Sequence, residues 1–425
     1  MSKSSRTMRT SPWLLLALLA ALVAVLAWMA VAYLRTQYDW RDGPILLGRA
    51  AEQLSRRRLA VAVVLSIGTV WVIVRRRSSL HDTYAALMAY LGGLLADAVV
   101  LLSLEPLGIS YGPVLLPLAV LAAVRCGVAL GLGAVAWLAG LSVRRRALWP
   151  LLHGLGQALV LLIVVDAFVL EPSGLTTSRL TVQDPYGTTT RPLRIVQISD
   201  LHLERANALS WRIVRQANAL QPDVIVLTGD YLNISFPHDQ ETRRDLRTIV
   251  GALQAPYGIY AVSGNVDPEN LDDLFGGLPV HALDDRWALL EIEGRRIALA
   301  GLALHRSLAE GRDRKADRQA LAELAKSIPG DRLSILLHHT PDMIPEAAAS
   351  GFDLYLCGHT HGGQVRLPFY GALTTFSLYG KRYEMGTYRE GNTLIYVSRG
   401  VGLEGWIIPR VRFLCPPEIV NIEIR

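Results

Sequence analysis

The sequence predicts an all-α membrane region followed by an α/β domain in which two β-sheets are flanked by helices. Three observations carry this reading. Long uncharged apolar stretches are confined to residues 1–175. From Leu193 onward the pattern becomes short apolar runs alternating with amphipathic stretches, the succession of strand and helix that builds layered α/β domains. Side chains able to bind metal ions stand directly after several of those short runs.

The chain has 425 residues, enough for two or three domains, and 51% of them are apolar. The divisions expected are a transmembrane region over 1–175 with about five helices and a catalytic domain over 190–425. Charge divides in the same place. Residues 1–175 hold 16 basic and 8 acidic side chains, so the net +6 of the chain leaves −2 for the remainder. The basicity therefore belongs with lipid headgroups, and the lipid bilayer is an expected partner. No basic strip with interleaved aromatics follows residue 175, so no nucleic-acid partner is expected. Cys126, Cys357 and Cys415 are scattered, which fits small buried hydrophobes and neither a disulfide framework nor a zinc knuckle.

Trp13–Leu34 is an uncharged run long enough to span a bilayer, which needs about 20 residues. It is long for a signal peptide, and no small-x-small cleavage site closes it. Leu59–Val74 is shorter and fenced by Arg56–Arg58 and Arg75–Arg77. Further spans are expected near Thr83–Leu104, Pro113–Val143 and Trp149–Leu170. With five spans, the N-terminus, Arg75–Arg77 and Arg144–Arg146 share the cytoplasmic side and the globular half lies outside, although Arg56–Arg58 then breaks the positive-inside rule. With one span fewer, the globular half is cytoplasmic. Asp97, Arg125 and Asp166 lie inside apolar spans, and Asp97 and Arg125 are placed to pair between neighbouring helices.

In the globular half, Ile195–Ser199, Val224–Thr228, Ile259–Ser263, Ile297–Leu302, Ser334–Leu337 and Leu354–Cys357 read as buried strands. Leu394–Ser398 and Ile419–Ile424 complete the sheets. Asn207–Leu220 and Glu241–Leu253 read as helices stopped by Pro222 and Pro256. Glu171–Arg191 reads as a linker. Asp200 and His202 follow the first strand, Asp230 the second and Asn265 the third; His339, His359 and His361 follow two later ones. Strand ends of open α/β sheets face a shared crevice, so these distant positions become neighbours.

The ordered set Asp200-Leu201-His202, Gly229-Asp230, Gly264-Asn265, His338-His339 and Gly358-His359-Thr360-His361 resembles the calcineurin-like metallophosphoesterases. Their signature is D-x-H, G-D, G-N-H-[DE], H and G-H-x-H. The resemblance spans about Leu193–Arg425 and is closest to the bacterial, multi-pass membrane-anchored branch, which Gly380–Tyr383, Val397–Gly402 and Pro416-Pro417-Glu418 also resemble. It implies two divalent metal ions. Asp200, His202 and His361 would hold one, Asn265, His339 and His359 the other, and Asp230 would bridge them. A bridging carboxylate lets two dications sit about 3.5–4 Å apart despite their repulsion. Mixed imidazole and carboxylate ligands suit Mn, Fe or Zn.

One position departs from the pattern. Gly264-Asn265-Val266-Asp267 has valine where the family has the histidine that contacts phosphate and assists the leaving group. Losing a general acid costs about 10²–10⁴-fold, and less with a good leaving group. His338 is a candidate catalytic replacement, and Arg306 a candidate for stabilising phosphate charge. His305, His238 and His281 are more remote candidates. Gly405–Pro409 is an apolar cluster that suits either acyl chains or the domain core.

The resemblance implies a membrane-bound hydrolase of a phosphodiester, phosphomonoester or pyrophosphate bond, located in the bacterial cytoplasmic membrane. The membrane region favours a lipid-linked substrate such as UDP-2,3-diacylglucosamine, which relatives in the branch hydrolyse. An extracytoplasmic domain would favour phospholipid, wall-polymer or nucleotide phosphoesters instead. The alternative is a membrane-bound metal or phosphate sensor whose catalysis is reduced by Val266.

Overall fold

The computed structural model describes residues 80–138, 148–186, 191–268, 270–304, 306–307, 311–312, 314–405 and 410–425. The expected spans Trp13–Leu34 and Leu59–Val74 lie outside these. Three apolar helices are described: α1 (Leu80–Ser103), α2 (Leu115–Leu138) and α3 (Leu148–Val165). The last continues through a π-helical turn, Asp166–Leu170, to Ser173. All three are long and apolar enough to cross a membrane. Their outer faces agree. Leu95, Val99 and Leu102 on α1, and Leu151, Leu155, Leu159 and Leu162 on α3, are exposed at helical spacing. Such stripes are at home in lipid, and the protein is a membrane protein.

The inner faces carry a polar network. Arg125 on α2 donates from Nε and Nη2 to Asp97 on α1, both at 2.6 Å, with both side chains fully buried. Its Nη1 donates at 2.9 Å to the carbonyl and the side-chain Oε1 of Gln157 on α3. Gln157 returns a bond from Nε2 to the Arg125 carbonyl at 3.2 Å. One guanidinium thus joins all three helices, its planar fork matching the carboxylate.

Helix α3 turns at Gly174 directly into β1 (Thr176–Val182). This strand lies within Glu171–Arg191, which the sequence reads as a linker. Thr-Thr-Ser-Arg-Leu-Thr-Val is too polar to signal a buried strand; β1 forms because it pairs in parallel with β16 (Glu418–Ile424), Thr176 opposite Glu418 through Val182 opposite Ile424. β16 runs antiparallel to β2 (Leu193–Ile198) on its other side. β3 (Val224–Leu227), β4 (Ile259–Ala261) and β5 (Val280–Ala282) follow in parallel, giving the order β1-β16-β2-β3-β4-β5. Helices α4 (Ala208–Ala219), α5 (Gln240–Gly251) and the short α6 (Asp272–Phe275) lie between these strands in sequence. Asn207 opens α4 with a capping box, accepting from Ser210 N at 2.9 Å while Ser210 Oγ accepts from Asn207 N at 2.7 Å. Asp239 caps α5 through Thr242 N at 2.8 Å.

The second sheet is built from β6 (Arg286–Ile292), β7 (Arg295–Gly301), β10 (Leu333–Leu337), β11 (Leu354–Cys357), β14 (Gly386–Glu390) and β15 (Thr393–Val397), ordered β14-β15-β11-β10-β7-β6. Short hairpins β8 (Arg306–Ser307) with β9 (Gly311–Arg312), and β12 (Arg366–Leu367) with β13 (Gly371–Ala372), stand outside it. Helices α7 (Arg314–Ser327) and α8 (Ile344–Ala349) complete the domain.

Alternation along the strands sets the layers. Ile195, Val226, Ile297, Ile335, Leu354 and Val420 fill the space between the sheets. Val196, Ile225 and Leu227 face outward beneath Ile213, Leu246 and Ile249 of α4 and α5. Leu336, Tyr355 and Ile395 face the other way beneath Leu321 of α7 and Ile344 and Ala347 of α8. The expected sandwich of two sheets flanked by helices, preceded by membrane helices, is the observed architecture.

The buried network generates a prediction. Asp97→Leu alone strands a buried guanidinium and should cost roughly 3–5 kcal/mol, whereas Asp97→Leu with Arg125→Leu should recover most of that loss. Thermal unfolding of both variants in detergent micelles reads the difference.

Candidate metal centre

The site forms because the strands of both sheets stop short at one edge, and their continuing turns carry the polar side chains. β2 ends at Ile198, two residues before Asp200, and β3 at Leu227, three before Asp230. β10 and β11 of the other sheet end two residues before His339 and His359. The chain turns sharply at these points. Asp200, His202, Asp230, His359 and His361 all have φ between 39° and 70°, in the left-handed region that β-carbon sterics disfavour. Such strain persists only where surrounding structure over-determines it.

Two glycines show how tightly the turns meet. A side chain on Gly264 would run into Asp230, and one on Gly358 into Ser199 and Asp200. Both positions let backbone press directly against a buried carboxylate.

Six side chains form two triads, Asp200, His202 and His361 in one and Asp230, His339 and His359 in the other, with the ligand atoms of each triad within 4.8 Å of one another. Asn265 joins the second triad, its Oδ1 2.9 Å from His339 Nε2. Asp230 Oδ2 lies 3.2 Å from His339 Nε2 and 3.5 Å from His202 Nε2, so it reaches both groups. His202 Nε2 and His361 Nε2 approach to 3.0 Å, and His359 Nδ1 approaches His339 Nε2 to 3.2 Å.

The partners of the opposite ring nitrogens show what the donor set is built to hold. His339 Nδ1 lies 2.8 Å from the Thr228 carbonyl and His202 Nδ1 lies 2.7 Å from Glu404 Oε2. Both acceptors call for an N–H at Nδ1, which leaves a lone pair on each Nε2. Those lone pairs face Asn265 Oδ1, Asp230 Oδ2 and another imidazole. Acceptors converging on acceptors at full burial need a cation between them, and the donor set of imidazole, carboxylate and amide oxygen suits divalent transition metals.

The electrostatics of the donor set express the same need, with protons on His202 and His339 standing in for the cation. Burial opposes protonation of His202, but Glu404, Asp230 and Asp200 outweigh it and raise it to about 9. Burial likewise opposes the charge on His339, and Asp230 and Asp200 bring it to about 9. Burial and the neighbouring His339 push His359 down to about 4. Burial works against ionised Asp230, yet His339, His202 and His359 hold it well below the usual carboxylate range.

A surrounding shell fixes these groups. Asp267 accepts from the backbone N–H of Asp230 at 2.7 Å, of Tyr231 at 2.8 Å and of Gly264 at 2.8 Å, stapling two ligand turns together. Burial and the charge of Asp230 push its carboxyl up to about 7. Val266 N donates to Asp230 Oδ1 at 3.1 Å, so this residue contributes its backbone where its side chain has no proton to give. The His359 N–H donates to Asp200 Oδ1 at 3.0 Å, joining the two sheets. Arg412, fully buried, donates from Nη2 to the carbonyls of Arg399 at 2.9 Å and Gly402 at 2.7 Å, and that nitrogen lies 3.5 Å from His361 Nδ1.

Sequence reasoning missed Glu404 and Arg412. Neither belongs to a motif, and the only trace of Arg412 is a charge within the apolar stretch Trp406–Leu414. His338 sits apart from the ligands: its Nδ1 lies 2.9 Å from the Leu302 carbonyl, its Nε2 lies 3.4 Å from Thr340 Oγ1, and it is fully buried. Adjacent residues of an extended segment point to opposite sides, so the chain that aims His339 at the centre turns His338 into the core. The Arg306 backbone belongs to β8, and its side chain, together with His305, lies outside the described residues. His281 is exposed and stacks on Tyr260, and His238 is exposed before α5. The cluster Gly405–Pro409 lies outside the described residues beyond Gly405.

Two substitutions test the shell and the centre separately. Glu404→Ala frees the His202 ring and should weaken metal affinity by about 10–100-fold, read by titration against a competing chelator. Asp230→Asn removes the carboxylate of the second triad that also reaches His202 of the first and should lower the bound metal from two ions per chain, read by elemental analysis of purified protein.

A model of the calcineurin-like phosphoesterase family matches residues 193–363. The chain is 34% identical over 272 residues to the uncharacterized metallophosphoesterase YkuE of Bacillus subtilis, a match covering 60% of this chain and 87% of that one. It is 27% identical over 288 residues to the UDP-2,3-diacylglucosamine pyrophosphatase LpxG of Chlamydia trachomatis, covering 53% of this chain and 82% of the other. It is 29% identical over 248 residues to the phosphodiesterase YaeI of Escherichia coli, covering 55% and 82%. Fold, ligand-competent triads and these relatives agree: the chain belongs to the calcineurin-like phosphoesterases and is a metal-dependent hydrolase held at a membrane.

Proposed function

We propose that this protein is a membrane-bound dinuclear phosphoesterase that cleaves a phosphodiester, phosphomonoester or pyrophosphate bond in a lipid-linked substrate. The observation that carries the reading is the convergence of two ligand triads on one carboxylate, Asp230, at the junction of the two sheets. In this reading Asp200, His202 and His361 would hold one metal, Asn265, His339 and His359 the other, and Asp230 would serve both. Manganese, iron or zinc suits the donors. Two such ions, when bound, supply Lewis-acid charge for the phosphoryl oxygens and an activated water.

The remaining work belongs to the protein. Glu404 and the Thr228 carbonyl hold His202 and His339 in the tautomer that presents Nε2 inward. Asn265 contributes a neutral oxygen, which leaves the centre's positive charge available to substrate. At Val266 no proton is delivered, and His338 is engaged with Leu302 and Thr340. The leaving group must therefore depart without that acid, which favours stable anions such as a nucleotide phosphate. LpxG carries the name of a lipid pyrophosphatase acting on UDP-2,3-diacylglucosamine, and its bond class meets that requirement.

The last three spans support one side of the membrane for the domain. Tyr111, in the α1–α2 loop, donates its N–H to Glu204 of the domain, and α3 runs into β1. Arg75–Arg77 precede α1, and Arg144–Arg146 fall between α2 and α3, so these clusters belong to the opposite ends of the helices. Positive-inside placement then favours a domain outside the cytoplasm, against which Arg56–Arg58 stand. In a bacterial cytoplasmic membrane this points to a phosphate carried in the outer leaflet.

The test is hydrolysis of bis-p-nitrophenyl phosphate by full-length protein reloaded with manganese. Turnover that Asp230→Asn abolishes is expected. Absence of turnover with two metals bound would favour the sensor reading, in which Val266 marks lost catalysis. Val266→His should speed cleavage of an alkyl phosphodiester by up to about 10²-fold, with little effect on the aryl substrate, whose leaving group needs no acid.

A further inference from the structure

We propose that Leu367–Leu378 is a second membrane contact, a hairpin and following loop whose apolar side chains lie in the interfacial layer of the lipid bilayer beside the metal centre. The hairpin pairs Arg366 with Ala372 and Leu367 with Gly371, and Phe369 stands at its tip with φ 64°. Phe369 is fully exposed, Phe376 is 70% exposed and Leu378 62%. Leu367, Tyr370 and Leu373 are exposed as well. Elsewhere in the described α/β domain, exposed large apolar side chains such as Tyr186, Trp211, Tyr257 and Leu289 stand singly. Six within twelve residues form a patch of the kind that soluble surfaces cover.

The occupant is set by what the patch adjoins. Val365, at the base of the hairpin, bridges to Phe413; Arg366 N donates to the Phe413 carbonyl at 3.0 Å and Phe413 N to the Gln364 carbonyl at 2.8 Å. Phe413 in turn packs on the helix cluster that contains Leu101, Val164 and Phe168. Arg412 N donates to the Ala167 carbonyl at 3.0 Å, and Cys415 N donates to Glu171. The hairpin base therefore sits one strand spacing, about 4.8 Å, from a segment docked on the last turns of a membrane helix. Leu414, exposed, continues the apolar surface between them.

Charge placement fits the same environment. The Lys381 ammonium lies 3.5 Å above the Tyr370 ring, and Arg366 pairs with Glu384 at 2.9 Å. Of these, Lys381 is the more exposed cation, 3.5 Å from Glu384, and it is placed to meet headgroups while the tip enters the acyl boundary.

Both ends of the segment are tied to histidines of the centre. Arg366 Nη1 donates to the Gly362 carbonyl, next to His361, at 2.7 Å, and His359 Nε2 lies 3.4 Å from the Phe376 carbonyl. A seated hairpin holds the centre at headgroup depth, so the substrate is a phosphate at the bilayer surface. The substrate class rests on the phosphoesterase reading; the bilayer contact does not.

The experiment uses the full chain in nanodiscs of phosphatidylcholine and phosphatidylglycerol. Phe369→Cys carries an environment-sensitive nitrobenzoxadiazole label; the native Cys126, Cys357 and Cys415 are buried. Glu291→Cys, on the far-edge strand β6, is the control. Blue-shifted emission, quenched several-fold by doxyl-labelled lipid at position 369 and not at 291, is expected. Emission at 369 matching the control overturns the proposal. So does a blue shift that lipid fails to quench and that grows with protein concentration, since a second copy then covers the patch. In a second arm, Phe369→Asp should slow hydrolysis of a nitrophenyl phosphodiester lipid embedded in the disc at least tenfold while leaving bis-p-nitrophenyl phosphate turnover unchanged. An equal loss on both substrates overturns the delivery role. Absence of soluble turnover in the unmodified protein removes the hydrolase reading and leaves the quenching result to decide the membrane contact.

Discussion

Everything in this site depends on the mutual need of buried acceptors for a cation. Asp230 sits where turns from two sheets meet, and imidazole nitrogens, an amide oxygen and its own carboxylate converge there with lone pairs facing one another. Without positive charge such an arrangement is repulsive in a medium that screens poorly. Ligation of a cation would offset the burial. The same demand explains the strained backbone. Left-handed turns at five of the ligand-competent residues aim those side chains at one point, and the interlocked turns around them hold the strain.

The shell around the ligands works by removing alternatives. Asp267 closes three backbone N–H groups of two turns on one carboxylate. Arg412 gathers the carbonyls of the loop after β15, the loop that presses on Asp200. Because Arg412 also belongs to the segment docked on the end of α3, the position of His361 is coupled to the end of a membrane helix. The described membrane helices are thus part of the scaffold of the centre, and one guanidinium is shared among all three.

Much of this was legible in the sequence. Apolar runs such as Ile195–Ser199 and Leu354–Cys357 announce buried strands because both of their faces are covered. The metal-competent residues are legible for a related reason: they need special turns, and the glycines at 229, 264 and 358 that permit those turns sit beside them. The strand β1 was not legible, because its polar side chains owe their order to pairing with β16, more than two hundred residues away. Glu404 and Arg412 were hidden for the same reason, since a second-layer contact leaves no local period or spacing. His338 shows the limit from the other side: its type suits acid catalysis, and only the pleat decides that it points into the core.

By itself the sequence determined the chemistry available and the order of elements: membrane helices first, then strands whose ends carry carboxylates and imidazoles. Residue type and local periodicity are short-range properties, and they survive without coordinates. Tertiary structure alone decided which ring nitrogen faces the centre, which histidine is excluded from it, and which apolar side chains are left without cover. Those outcomes depend on long-range register between two sheets and on the docking of a late loop against a membrane helix, and neither is encoded in any single stretch of the chain.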